Sequence, residues 1–160
     1  MINPLSIEKQ KKGRPVNAII CKYILEIPVL GTLIYNILNS RNNIDLSFTE
    51  NILYNPFHAD ADIIDTYHEA AHLGDGAGRY LQACLVSGYL DVDPTHALQV
   101  LKNNLFIIGG HSEDSINMII EEYKNLNEGI RSTLIANAKT LPQLEEPDVF
   151  AAELEKLLAD

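Results

Sequence analysis

The sequence predicts an all-α fold of stacked antiparallel helical hairpins with extra helices at the N-terminal end. Three observations carry this expectation. Apolar residues recur at three- and four-residue spacing through nearly the whole chain, as one buried helix face requires. The periodic segments are closed by glycine or proline, with Leu73-Gly74 and Ile108-Gly109-Gly110 standing roughly 36 residues apart, a spacing suited to stacked repeats. No segment alternates apolar and polar residues as a half-buried strand would.

Residues 1–15 read as a flexible basic tail. Val16 to Leu38 is the most apolar stretch and imitates a membrane span, but Lys22 and Glu26 stand mid-segment. Each would cost about 2.5–3.5 kcal/mol at a bilayer centre. Pro28 also interrupts the stretch, and no small-residue cleavage site follows. Two buried helices, 16–27 and one opening on Pro28, are therefore expected, with no transmembrane span; peripheral membrane contact is the weaker alternative. Asn39 to Asn43 reads as a linker, and Ser47-Phe48-Thr49-Glu50 as a capping box opening a short helix over 48–54. Asp60 then begins a stronger helix that ends at Leu73-Gly74.

Further helices are expected over 76–87, 94–106 (after the Asp93-Pro94 cap), 113–126 (capped by Ser112), 130–140 and 148–158. The domain reading is a tail at 1–15, a helical-repeat domain at 16–141, and an acidic linker with a C-terminal amphipathic helix at 142–160. Leu73, Tyr80, Leu81, Leu98, Leu101, Leu105, Ile116 and Ile120 are the expected core of the stack.

Charge is unevenly placed in a chain of net −10: residues 1–41 hold six basic and two acidic side chains, residues 42–160 six basic and twenty acidic. An acidic body repels phosphate backbones, which argues against a nucleic-acid partner and for a protein partner with a basic patch. The cluster Lys9, Lys11, Lys12 and Arg14 reads first as a solvated tail. Two cysteines, Cys21 and Cys84, in apolar contexts fit buried thiols in a reducing compartment.

His68-Glu69-Ala70-Ala71-His72 has the spacing that puts two zinc-binding imidazoles on one helix face with a glutamate as general base. A zinc metallohydrolase using His68, His72 and Glu69 is thus the alternative function. The surroundings oppose it. The extended motif would need glycine and histidine where Asp75 and Gly78 stand, and Glu113, Glu121 and Glu122 are third-ligand candidates by distance alone. A noncatalytic metal contact among His58, His68 and His72 is a further alternative. The favoured expectation puts His68, Glu69 and His72 on an exposed face, Ala70 and Ala71 toward the next helix, and no cofactor. Asp60, Asp62 and Asp65 lack the glycine and final glutamate of a calcium loop, and Gly74 to Gly78 lacks the lysine of a phosphate loop. Cys84 sits on an apolar face, poorly placed for nucleophilic catalysis.

Ala70-Ala71-x-Leu73-Gly74-Asp75 with Tyr80, Ala83 and Gly88, then Val92, Asp93, Ala97-Leu98 and Gly109-Gly110, resembles Sel-one-like repeats of the tetratricopeptide class. The resemblance covers about a third of the chain, with one well-formed unit. It implies a scaffold that binds other proteins, without catalytic residues. The acidic run from Leu144 to Asp160 is similar to the glutamate-rich tails read by type IV secretion systems. The expected function is a protein-interaction module or adaptor, or a secreted bacterial effector holding a host protein. Arg79, Gln82, Val86 and Tyr89 form the expected partner-binding face. Its place would be the cytoplasm, or a host cytosol reached by a non-classical route.

Overall fold

The structure, a computed structural model, describes residues 1–11 and 15–159. Lys12 and Arg14 of the basic cluster and Asp160 of the acidic run lie outside the described residues. Of the described residues 62% are helical, which places the chain in the all-α class expected from the sequence. In chain order the elements are α1 (Ile7–Lys11), α2 (Val16–Glu26), α3 (Pro28–Leu38), α4 (Arg41–Ser47), α5 (Ala61–His72), α6 (Gly78–Val86), α7 (Thr95–Val100), β1 (Phe106–Gly110), α8 (Ile116–Leu126), β2 (Arg131–Ile135), α9 (Pro142–Glu145) and α10 (Pro147–Ala159). The chain divides into a helical unit, Gln10–Asn51 with Ala59–Val92, and a second unit built from Met1–Lys9, Ile52–His58 and Asp93–Asp160.

In the helical unit, α2 and α3 are separate helices because Pro28 cannot continue α2. Proline is well placed in the first turn of α3, and it holds Ile27 extended (φ −61°, ψ 124°). The two axes diverge by 104°. Gly31 permits this close return: a Cβ there would stand 1.9 Å from the Leu25 carbonyl oxygen. Tyr35, one turn on, is buried and its hydroxyl donates to the Ala71 carbonyl at 2.6 Å, fastening α3 to the end of α5. Asp60 caps α5 by accepting from the Ile63 amide at 2.9 Å. Gly74, Asp75 and Gly76 all have positive φ and reverse the chain into α6. α6 lies against α2, and Ala83, midway along α6, has no exposed surface.

The burial of this unit departs from expectation. α2 and α3 are not buried helices: only Leu25, Gly31 and Tyr35 are enclosed, while Tyr23, Val29, Leu33 and Ile37 are exposed. The inner side is occupied instead by Lys22 and Glu26, which pair at 2.5 Å and are largely covered. Cys21 is exposed rather than buried. The expected linker at Asn39 to Asn43 is interrupted by α4, which starts at Arg41 and runs into a π-helix at Phe48–Ile52, where Phe48 meets Tyr67 edge-on at 4.8 Å between centroids.

The second unit contains the strands the sequence reading missed. β1 and β2 pair in parallel, Phe106 opposite Arg131 and Gly110 opposite Ile135, with α8 as the crossover. Met1 to Asn3 runs along the other side of β1: Ile2 bridges Ile108, the Asn3 amide donates to the Ile108 carbonyl, and the Ile108 amide donates to Met1. The first residues are therefore built into the unit and are not a loose tail.

Adjacent residues of β1 serve opposite faces. Ile107 packs with Ile7, Leu98, Ile116, Ile120, Tyr123 and Ile130; Ile108 packs with Ile135, Ala138 and, from α10, Phe150 and Leu157. A strand covered on both faces reads as a continuous apolar run, which is why the alternation test passes over Phe106-Ile107-Ile108. Accordingly the helix expected over 94–106 stops at Val100, and the one expected over 130–140 is β2 followed by a turn. α8 starts at Ile116 after Ser115 at φ 64°, without Ser112 as cap. Gly109-Gly110 is not a helix stop but the end of β1. A Cβ on Gly110 would stand 2.0 Å from the Lys139 carbonyl oxygen.

Of the expected core, Leu98, Ile116 and Ile120 are buried and Leu105 is partly so, whereas Leu73, Tyr80, Leu81 and Leu101 are exposed. Ile116→Ala is expected to cost about 2–5 kcal/mol in urea denaturation. Leu101→Ala, in the same unit, should cost about 1 kcal/mol or less. Equal losses would mean that α7 and α8 are packed differently.

Candidate functional site

The two histidines of the zinc-like motif lie on α5 in phase with buried Ile64, so they continue its inward stripe. Both are half-buried, Glu69 and Ala70 are exposed, and Ala71 is half-buried. The expected orientation of the motif is thus corrected: Ile64, His68, Ala71 and His72 share one face, as a 3.6-residue period counted from Ile64 would have placed them. The rings of His68 and His72 are 4.4 Å apart between centroids. His72 uses Nδ1 on the carbonyl of His68 at 2.8 Å, and its ring lies 6.5 Å from that of Tyr35.

Among the described residues no third histidine, cysteine or carboxylate joins them in a metal-sized group. His58, Glu113, Glu121 and Glu122 belong to the other unit. There Glu113 accepts from the Thr140 hydroxyl at 2.7 Å, and Glu122 accepts from the Ser6 hydroxyl at 2.9 Å and the Ile7 amide at 2.8 Å, at the start of α1. Two of the three aspartates near the start of α5 also have local work. Asp60 is its cap. Asp65 pairs with Arg41, whose guanidinium holds that carboxyl below the usual carboxylate range. The stabilisation from this pair is present above the ordinary aspartate pKa and is lost as pH falls through the lowered value; both groups are exposed, so salt screens it.

The four residues of the expected partner-binding face fall into two pairs. Val86 and Tyr89 are exposed, with the Lys22 ammonium 5.7 Å from the Tyr89 ring. Arg79 and Gln82 are half-buried and engaged. The Arg79 guanidinium lies 4.3 Å from the Tyr80 ring and donates to its hydroxyl and to the Gly76 carbonyl, while Gln82 accepts from Asn39 at 3.1 Å. α6 and the turn after it also expose Leu81, Leu85 and Leu90. The turn needs Gly88, at φ 64°, to end the helix.

The sequence reading missed the polar cross-links of the second unit. Glu145, read there as part of an acidic tail, is 4% exposed and accepts the amides of Tyr54 (2.6 Å) and Lys139 (2.7 Å). Asn3 donates to the carbonyls of Lys139 and Thr140 and accepts from the Gly110 amide at 3.0 Å. The loops beyond the carboxyl ends of the strands, where ligands commonly sit in parallel sheets, are thus stitched to one another. Neither residue has a local sequence signature, because each partner lies far away along the chain.

No family model matches the sequence, and no curated protein matches it. The fold is similar to that of Cfl2 from Burkholderia cenocepacia, at a TM-score of 0.59 and 17% identity, over 91% of this chain and 49% of the other. The chain thus spans about half the length of that protein. At this identity the likeness concerns the fold.

Protein purified without a histidine tag is expected to carry zinc well below one ion per chain, and Glu69→Gln should leave the content unchanged. Stoichiometric zinc lost on His68→Ala would mean that the histidines recruit further ligands.

Proposed function

We propose that the chain is a protein-interaction module or adaptor, acting through the surface of α6 and the turn that follows it. One observation carries the reading: Leu81, Leu85, Val86, Tyr89 and Leu90 are exposed within ten consecutive residues. Single exposed apolar residues are ordinary on a soluble surface, but a concentration of them on one helix and its turn is a mark of interaction sites. Tyr89, with an apolar body and a polar tip, is the aromatic anchor of the set. The resemblance of this hairpin to Sel-one-like repeats supports the same reading, since such hairpins serve as scaffolds for other proteins.

The partner presents a basic patch to an acidic chain, so added salt weakens the complex through screening. Action as a secreted bacterial effector on a host protein is the finer form of this proposal, and it rests on the acidic C-terminal run. Glu145 is enclosed and Glu153 pairs with Lys156, which leaves Glu146, Asp148 and Glu155 among the described residues as carboxylates for recognition. With a partner captured by the wild type at low salt, Val86→Asp/Tyr89→Ala is expected to reduce recovery by roughly tenfold or more, as loss of an aromatic anchor does. Undiminished recovery would overturn this face as the interface.

A further inference from the structure

We propose that the outward face of α2 and α3, with the basic run that precedes it, docks the chain onto an anionic lipid bilayer. This goes beyond the protein-binding reading and uses a different face. Val16, Ile20, Tyr23, Ile27, Leu33 and Ile37 are all exposed, as is Val29 at 83%. Within the two helices the exposed polar groups are only Asn17, Asn36 and the phenol of Tyr23, besides the thiol of Cys21. The only charged residues there, Lys22 and Glu26, neutralise each other in a largely covered pair. A surface so depleted of charge and hydrogen-bonding groups has little with which to fix the register of a folded protein partner, whose interfaces carry a polar rim. It has what an acyl-chain boundary accepts.

Charge completes the match. Lys9, Lys11, Lys12 and Arg14 precede α2, and residues 9–25 contain no acidic side chain, in a chain of net −10. Lys9 and Lys11 are exposed. Cations clustered in sequence next to an apolar helix are attracted to anionic headgroups while the helix face enters the boundary.

The geometry points to a surface-lying mode. No single helix among the described residues is long and apolar enough to cross a membrane. Each of these two has 11 residues, about 16 Å of rise against about 30 Å of hydrocarbon, and the break of 104° prevents their adding end to end.

The test is sedimentation of the full chain with vesicles of phosphatidylcholine alone, or with about one third phosphatidylglycerol. Binding is expected to favour the anionic vesicles by roughly tenfold and to fall with added salt. Leu33→Glu/Ile37→Glu should reduce it by roughly tenfold or more, with the far-ultraviolet circular dichroism unchanged. If that pair alters the dichroism, Val29→Glu supplies the same comparison at a more exposed site. Lys9→Glu/Lys11→Glu should remove the preference for anionic vesicles.

Val86→Asp/Tyr89→Ala should bind vesicles like the wild type, so failure of the α6 reading and failure of this one are distinguishable. Absence of binding to the anionic vesicles, or equal binding by the glutamate variants, would overturn the proposal. So would a dimer in light scattering that Leu33→Glu/Ile37→Glu disperses in protein that ignores vesicles; the face would then be covered by a second copy.

Discussion

At Gly110 the carbonyl oxygens of Lys139 and Ala138 stand 2.0 and 2.6 Å from where a side chain would begin, so one backbone lies directly on another. At Gly31 the Leu25 carbonyl makes the same demand. Both units depend on such contacts. The first lets the end of β1 meet the turn after β2, which in turn gives Asn3 its acceptors at 139 and 140. The second lets α3 fold back on α2 and brings Tyr35 to the end of α5. These are constraints of volume, and they are met before any favourable interaction is counted. A methyl group at either place would force backbone to move, whatever the packing elsewhere offered.

The helical unit places its charges and its apolar side chains against the usual order. α2 turns a Lys–Glu pair inward and leaves isoleucines and a tyrosine outside. The Lys22 ammonium lies 5.3 Å from the Tyr23 ring and 5.7 Å from the Tyr89 ring, so its positive charge rests among aromatic faces as well as beside Glu26. The second unit is conventional by comparison. Its isoleucines fill both sides of a strand, and its buried carboxylate at Glu145 is fully engaged by amides.

What the sequence made legible divides along the range of the interactions. Signals local in sequence were readable: the Asp60 cap, the Pro28 start, the positive-φ reversal at Gly74 and the C-terminal helix all stand where their residues indicate. The helical class followed from them. β1 was hidden because a strand buried on both sides loses the period of two that identifies it, and β2 because Arg131-Ser132-Thr133-Leu134-Ile135 has no apolar alternation. The pairing of residues 1–3 with β1 was hidden because nothing near Met1 announces a partner at 108. The histidine motif shows the same division. Its spacing was visible at once, but its facing depended on the helix phase set by Ile64, and which described side chains come near it depended on the fold. Exposure along α2 and α3 was misread because apolar periodicity reports which residues share a face, and not whether anything covers it.

The pairing of Met1 to Asn3 with β1 bears on the order in which the chain becomes a protein. The Met1 ammonium donates to the carbonyl of Phe106, 105 residues away, and Tyr54 likewise reaches Glu145 across 91. During synthesis the helical unit, whose parts lie between residues 10 and 92, emerges whole while the opening residues still have no strand to join. Met1 to Lys9 and Ile52 to His58 must therefore be carried as unpaired flanks until β1, β2 and the Glu145 turn arrive. The second unit closes late and over long loops, a slow arrangement on entropic grounds. Residues 1–9 are thus synthesised well before the strand that holds them.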